Sequence, residues 1–244
     1  MCGIAGIYAT QAGAGDEPTV RRMLERLERR GPDDAGIAVE PHAVLGNRRL
    51  AILDVTRAGH QPMVSACGRF VVTLNGEIYN FRELIDELGL DPRSLRSGSD
   101  TEVLLLAWGR WGPGALHRFV GQWAFALFDR VTERLWITRD RFGEKPLYYH
   151  QDAARLVFAS SLEALLEDRS IPRTLDPGAL AEYVTLRYVV NPRTLIAGVR
   201  KLEGGHLLEL SPDGLASERQ WYVPPFRPYA GRRPTREQSA EKFD

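Results

Sequence analysis

Met1-Cys-Gly-Ile-Ala-Gly-Ile-Tyr-Ala-Thr10 opens the chain, and the reading of this stretch decides the fold. Methionine is normally trimmed before a small residue, which would leave Cys2 with a free α-amine. A reference α-amine has a pKa of about 7.7–8.0, so near neutral pH a useful fraction is an uncharged base beside the thiol of the same residue. An N-terminal amine that activates its own nucleophile is one chemical solution to a weak nucleophile. Gly3 to Ala9 reads as a short apolar strand. Gly3 lets the backbone approach closely, and Ile4 and Ile7 would anchor the strand in a core. Taken alone, a cysteine in second place is more often inert than catalytic. The rest of the chain has to separate the two readings.

Working outward, Gln11 to Glu17 is rich in Gly and Ala and reads as a flexible stretch. Val20, Met23, Leu24 and Leu27 recur at helical spacing, and Gly31-Pro32 stops that helix. Arg29 and Arg30 fall at its end, where cations suit the helix dipole. Strands are expected over Gly36 to Val39, Ala43 to Asp54 and Phe70 to Leu74. Asn80-Phe-Arg-Glu83 resembles a capping box, and Phe81, Leu84, Ile85 and Leu88 give that helix a buried stripe ended by Gly89. Ser99-Asp-Thr-Glu102 repeats the cap ahead of Val103 to Trp108. Trp123 to Asp129 with Arg134 to Thr138 form a hairpin, followed by strands at Tyr148 to His150 and Leu156 to Ser160. A small helix spans Leu162 to Glu167, and Asp176 caps another to about Leu186. His206 to Leu210 and Arg219 to Tyr222 make a last hairpin around Asp213-Gly214. Strands come in runs rather than as βαβ units, which predicts an α+β domain.

Composition narrows the function. The 244 residues are 43% hydrophobic and 26% charged, with 32 basic and 32 acidic side chains. A balanced charge offers no global field for nucleic acid or an anionic membrane, so neither is an expected partner. No apolar run approaches the roughly 18 residues that span a bilayer. The N-terminus lacks the basic and apolar regions of a signal peptide, so a cytoplasmic location is the default. Cys2 and Cys67 are the two cysteines, too few for a disulfide scaffold or a four-thiolate metal site. His42, His60, His117, His150 and His206 show no metal spacing. Trp108, Trp111 and Trp123 read as core, and Cys67 as an incidental turn residue.

Several residues fit the chemistry that Cys2 would need. Asn75-Gly76 follows the β-run Val71 to Leu74. Asn-Gly is a strong hairpin signal, yet an Asn amide and a Gly backbone N–H are also the donors of an oxyanion hole. Arg49 is either an exposed charge on an edge strand, with Leu50 and Ile52 on the opposite face, or a bidentate clamp on a substrate carboxylate. Asp100 at a helix start suits the dipole and could also receive a substrate ammonium, with Glu77 as a second such partner. Arg30-Gly-Pro-Asp33 is a helix stop, or a rigid turn that holds Arg30 against the strand of Cys2.

Six segments then occur in order: Cys2-Gly-Ile-Ala-Gly6, Arg30-Gly-Pro-Asp33, Arg49-Leu-Ala-Ile-Leu-Asp54, Asn75-Gly-Glu-Ile-Tyr-Asn80, Ser99-Asp-Thr-Glu102 and Arg139-Asp-Arg-Phe-Gly-Glu-Lys-Pro-Leu-Tyr148. Together they resemble the glutaminase domain of an asparagine synthetase-type class II glutamine amidotransferase, from Cys2 to about Tyr222. Sibling families carry a His-Thr-Arg-Trp-like segment where this chain has Asn47-Arg-Arg-Leu50, which favours the asparagine synthetase branch. The resemblance implies a four-layer αββα fold of the N-terminal nucleophile hydrolase type. It implies that Cys2 attacks the glutamine δ-carbonyl to form a γ-glutamyl thioester, and that Asn75 and Gly76 stabilise the oxyanion. Arg49 would hold the α-carboxylate, Glu77 and Asp100 the α-ammonium, and backbone groups of Leu50, Ala51, Ile52 and Leu53 would line the pocket, with Arg30 in structural support.

That branch also carries an ATP-binding domain with a Ser-Gly-Gly-x-Asp-Ser loop, and no such loop occurs here. The expected division is therefore a glutaminase domain over 1–223, then a Pro-rich linker and the start of a synthetase domain over 224–244. Pro224, Pro225, Pro228 and Pro234 mark the linker, and Thr235 to Asp244 reads as the first turns of a helix. No metal or cofactor is expected in this domain, since ATP and magnesium would belong to the synthetase domain. The implied partners are L-glutamine and a synthetase domain in the same natural chain or on a separate protein, and a homodimer is allowed. Rival readings are a glutamine-binding regulatory module without turnover, a hydrolase for another amide, and an amidotransferase that serves a secondary-metabolite carboxylate.

Overall fold

The computed structural model describes residues 1–10 and 16–225. Pro228, Pro234 and the helix expected over 235–244 lie outside the described residues, as does most of the stretch after Gln11. Twelve strands form two six-stranded antiparallel sheets. The first sheet runs in the order β10 (Val199–Lys201), β8 (Tyr148–Gln151), β9 (Arg155–Ala159), β1 (Gly3–Ala9), β3 (Ala43–Arg49) and β2 (Asp34–Val39). The second runs β12 (Gly214–Gln220), β11 (His206–Ser211), β7 (Arg134–Arg139), β6 (Gly121–Asp129), β5 (Phe70–Ile78) and β4 (Met63–Val64).

Three apolar clusters explain why the sheets stack. Ile4, Tyr8 and Leu45 of the first sheet meet Val71, Phe128 and Ile137 of the second between the layers. Ala5 and Ile7 point the other way, toward Val20, Met23 and Leu24 of α1 (Glu17–Arg26) and toward Ala164 and Leu165 of α4 (Leu162–Leu165). Beneath the second sheet, Val72, Leu74 and Phe125 pack on Leu84 and Ile85 of α2 (Phe81–Leu88) and on Val103, Leu104 and Trp108 of α3 (Asp100–Trp111). The layers are therefore helix, sheet, sheet, helix, as the resemblance implied. Strand β1 is buried along its whole length because it has a layer on each face, so its sequence is a continuous apolar run rather than an alternation.

A fifth helix, α5 (Pro177–Leu186), belongs to neither outer layer of the sandwich. Asp176 caps it by accepting from Ala179 N at 3.0 Å, as expected, but Ala179 is its one buried residue. Leu180, Tyr183, Val184 and Leu186 are exposed, and so are Tyr188 and Val190 just beyond.

Several local expectations are corrected. Strand β3 ends at Arg49 rather than at Asp54, because Asp33 captures Ala51 N at 2.9 Å and draws the chain out of the sheet. β3 is not an edge strand, since it pairs with β1 and β2 on its two sides. Asn75-Gly76 is not a turn. Strand β5 continues through both residues, paired with Ala124 and Trp123. The Asn80 side chain does not cap α2; it accepts from Val120 N at 2.8 Å and donates to Arg118 O at 2.9 Å. Ser99 does cap α3, accepting from Thr101 N at 3.2 Å. Glu102 turns instead to Ser97 N at 2.7 Å and Arg96 N at 3.1 Å, so the capping box is only half formed. Among the described residues, no helix is long and apolar enough to cross a membrane.

Candidate active site

Cys2 stands one residue ahead of β1, at the rim of a cleft between the ends of the two sheets. Its carbonyl accepts from Arg30 Nε at 3.1 Å, so the turn after α1 does reach the strand of the cysteine. The thiol lies 3.7 Å from Leu50 O. Burial pushes the Cys2 thiol up from its ordinary value, the Asp100 carboxylate adds to that, and the chain's amine and Arg49 oppose it.

The cleft brings together Cys2, Arg49, Leu50, Ile52, Leu53, Asn75, Gly76, Glu77 and Asp100. Ala51 is the exception. Its N–H is taken by Asp33, and it faces a neighbouring groove lined by Asp33, Asp34 and His60. Arg49 is buried rather than exposed, and its guanidinium is held by the carbonyls of Asp54 and Thr56. A side chain at position 59 would collide with that guanidinium, which is why a glycine lies there. Among the described residues no carboxylate pairs with Arg49, so its remaining donors face the cleft.

Asn75 is 1% exposed, and its Nδ2 has no hydrogen-bond partner among the described residues. A buried donor without an acceptor costs on the order of 1–3 kcal/mol, and native folds rarely keep one without a reason. Gly76 adopts φ 155°, and a Cβ there would meet Trp123 Cα at 2.6 Å, so only glycine lets β5 and β6 close at this point. Asp100 is the first residue of α3, and its Oδ2 accepts from Ile78 N at 2.7 Å, which ties the helix start to the strand carrying Asn75. Burial pushes Asp100 above the usual carboxylate range; the bonds from Ile78, Thr101 and Ser99 oppose that, and the Glu77 charge adds to it.

Sequence reasoning missed the support around this site. Met1, Asp54, Gln61, Ser99, Thr101 and Lys145 also line the cleft. Asn47 of β3 donates to Thr73 Oγ1 at 3.0 Å, Leu74 O at 3.2 Å and Gln61 Oε1 at 3.2 Å, stitching one sheet to the other just before Asn75. Gln61 Oε1 in turn accepts from Leu74 N at 2.6 Å. The signal was legible: Asn47 is an uncharged amide that directly follows the apolar run Ala43 to Gly46 of its strand. Asp54 builds the loop behind Arg49, accepting from Thr56 Oγ1 at 2.6 Å and from Gly98 N at 2.9 Å, and the Thr56 bond leads in holding its carboxyl below the usual range.

Strand pairing also creates one grouping that sequence spacing hides. Glu203, His206 and Glu218 place ligand-type atoms within 4.8 Å of one another, away from the cleft. His206 and Glu218 already pair at 2.7 Å, and Tyr149 donates to Glu218 at 3.1 Å, so their contacts are accounted for without an ion.

Known proteins resemble this chain. The family model described as a glutamine amidotransferase domain matches residues 1–222. Asparagine synthetase [glutamine-hydrolyzing] 3 of Bacillus subtilis is 34% identical over 229 residues, covering 91% of this chain and 37% of that protein. A putative asparagine synthetase [glutamine-hydrolyzing] of Mycobacterium bovis is 37% identical over 246 residues, covering 93% and 38% respectively. The chain thus spans little more than a third of the length of these two curated relatives. The solved structure of the B. subtilis glutamine phosphoribosylpyrophosphate amidotransferase, complexed with ADP and GMP, superposes with a TM-score of 0.64 over 91% of this chain and 50% of that one. At 18% identity, that likeness speaks for the fold alone. Family match, relatives and layer order agree: this chain belongs to the glutamine amidotransferase domain family.

Proposed function

We propose that the domain hydrolyses L-glutamine to L-glutamate and ammonia through a thioester on Cys2. The observation that carries this reading is the unpartnered Asn75 amide, which lines one cleft with the Cys2 thiol. Arg49 receives the α-carboxylate, and Glu77 and Asp100 receive the α-ammonium. Both charges of a free amino acid are thereby met, which favours glutamine over a neutral amide. Main-chain groups around Leu50, Ile52 and Leu53 complete the wall.

The chemistry follows from those positions once Met1 is removed. The Cys2 amine takes the thiol proton while Sγ bonds to the δ-carbonyl carbon. The carbonyl π pair moves to oxygen, where Asn75 Nδ2 and Gly76 N–H donate to it. The amine then returns its proton to the leaving nitrogen, the C–N bond breaks, and ammonia departs from a γ-glutamyl thioester. Water gives a proton to the same amine and attacks the thioester carbon. The S–C bond breaks, the thiol regains the proton, and glutamate leaves. No metal or cofactor enters these steps.

Ammonia released here serves an ATP- and magnesium-dependent amidation domain. The acceptor is the aspartate side chain or another carboxylate. The names of the relatives support this, as does their length, most of which lies outside the matched part. The reading places the protein in the cytoplasm, where glutamine and ATP are abundant.

Two variants test the hydrolysis. Cys2→Ala should abolish glutamate release with the fold intact. Asn75→Ala should lower kcat by about 10²–10³ while KM changes little, since an oxyanion donor acts on the transition state. Undiminished glutamate release from Cys2→Ala would sink the proposal. So would glutamine binding without turnover in the processed wild-type chain, or equal rates on asparagine and simple amides.

A further inference from the structure

The segment Arg139 to Tyr148 is the part of the sequence signature that the glutaminase chemistry leaves unused. Its turn is held by two buried charges. Arg139 and Asp140 are each 1% exposed. Asp140 accepts from Phe142 N at 3.0 Å, from Glu144 N at 3.0 Å and from Lys145 N at 3.3 Å, and also from Trp123 N at 3.2 Å on β6. Arg139 Nε donates to Lys145 O at 2.6 Å, and its other nitrogens donate to the carbonyls of Gly143 and Leu202. The peptide of Lys145 is therefore gripped on its N–H side by a carboxylate and at its C=O by a guanidinium. Burying two charges to fix one turn is costly unless the turn delivers something.

What it delivers is the Lys145 side chain. Lys145 lines the same cleft as Cys2, and its Nζ lies 4.0 Å from Met1 Sδ. The ammonium thus reaches the side chain of the residue that precedes Cys2, inside the cleft that Cys2 lines. Among the described residues it has no salt-bridge partner. The other charges facing this point are committed. Arg30 is bonded to Cys2 O, Arg49 to two carbonyls, and Asp100 to Ile78 N, with Glu77 also on the cleft wall.

We propose that Lys145 is a positioning residue that keeps the α-amine of processed Cys2 uncharged, so that the amine can act as a base at neutral pH. The inference rests on the glutaminase reading given above. A cation beside an amine disfavours its protonation, whereas Asp100 and Glu77 favour it. Glutamine binding strengthens the bias. The substrate ammonium neutralises the two carboxylates and leaves the cations Lys145 and Arg30 without an opposing carboxylate.

The experiment compares wild type, Lys145→Met and Lys145→Arg, each with Met1 removal verified by intact mass. Two readouts are taken: the pH profile of kcat/KM for glutamine, and the titration of the Cys2 amine followed by NMR of a chain labelled at cysteine nitrogen. In Lys145→Met the amine should titrate about one pH unit higher, and the acid limb of the profile should move with it, costing several-fold to tenfold in rate at pH 7. The rate should recover at alkaline pH, and Lys145→Arg should behave as wild type. An amine that titrates alike in wild type and Lys145→Met overturns the proposal, as does retention of Met1. If wild type releases no glutamate, the hydrolysis reading fails on its own, and the amine titration still decides the role of Lys145.

Discussion

At the scale of single residues, the site joins an unpartnered donor, Asn75 Nδ2, to buried charges held by neutral groups, and Asp100 shows what that costs. Its pKa is raised above the unfolded value, chiefly by burial. The sign follows from linkage: the ionised carboxylate is a burden above the folded pKa, and stability rises as pH falls through that value. A bound ammonium reverses the balance by favouring the charged form. Replacing Asp100 by Asn should therefore raise the melting temperature of the free protein at pH 7, while raising KM for glutamine about tenfold or more, as loss of roughly 1.4 kcal/mol of binding requires. A calorimetric scan and a Michaelis curve check both halves. A variant that is less stable and also binds weakly would show Asp100 to be a structural cap only. The roles of Cys2 and Asp100 could be suggested from residue type, but the burial that sets their charge states could not, because it depends on segments 50 to 100 positions away.

Among the elements, β5 and the loop after β3 do most to shape the cleft. Asn-Gly read locally is a hairpin, yet β6 pairs with β5 on both sides of it and carries the strand through. Sheet pairing overrode turn propensity because Gly76 is the residue that permits close approach to Trp123, not the residue that reverses the chain. The strand expected over Ala43 to Asp54 stops at Arg49, and the chain continues as a loop. Asp33, Asp54 and Arg49 supply side-chain partners that compete with the ladder. The depressed pKa of Asp54 makes the loop pH-sensitive. A carboxyl held below its unfolded value contributes stability above the unfolded pKa and loses it as pH falls through the folded one. Asp54→Asn should cost about 1–3 kcal/mol, because its amide would face the N–H of Gly98 with no acceptor. It should raise KM more than it lowers kcat, since Arg49 loses its support. Chemical denaturation and steady-state kinetics measure the two effects.

For the whole molecule, α5 is the element the sandwich does not use. Leu180, Tyr183, Val184 and Leu186 are exposed along it, with Tyr188 and Val190 just beyond its end. Whether the amidation domain of the proposed function seats here is read by two substitutions. Val184→Glu combined with Leu186→Glu should leave glutaminase activity within about twofold, because α5 contributes nothing to the cleft. The same change should abolish transfer of ¹⁵N from amide-labelled glutamine into an amide product when the amidation domain is present, releasing free ammonia instead. Sedimentation of the isolated chain provides the counter-test: a dimer that the same substitutions dissolve would mean that a second copy covers this face.

The amino-acid sequence by itself determined the candidate nucleophile, the α+β class and, through six ordered segments, the family and its layered fold. These are local matters: a residue type beside a chain terminus, a periodicity, a short motif. Tertiary structure alone decided that Arg49 is buried on a central strand, that Asn75 lies within a strand with a free donor, that Ala51 turns away from the cleft, and that Lys145 enters the cleft of Cys2 beside the Met1 side chain. Each depends on which strands pair and which charges are desolvated, and those are fixed by contacts between segments far apart in the chain. Position in the sequence makes Cys2 a candidate and no more. The two sheets bring it the donors and charges that could make it selective.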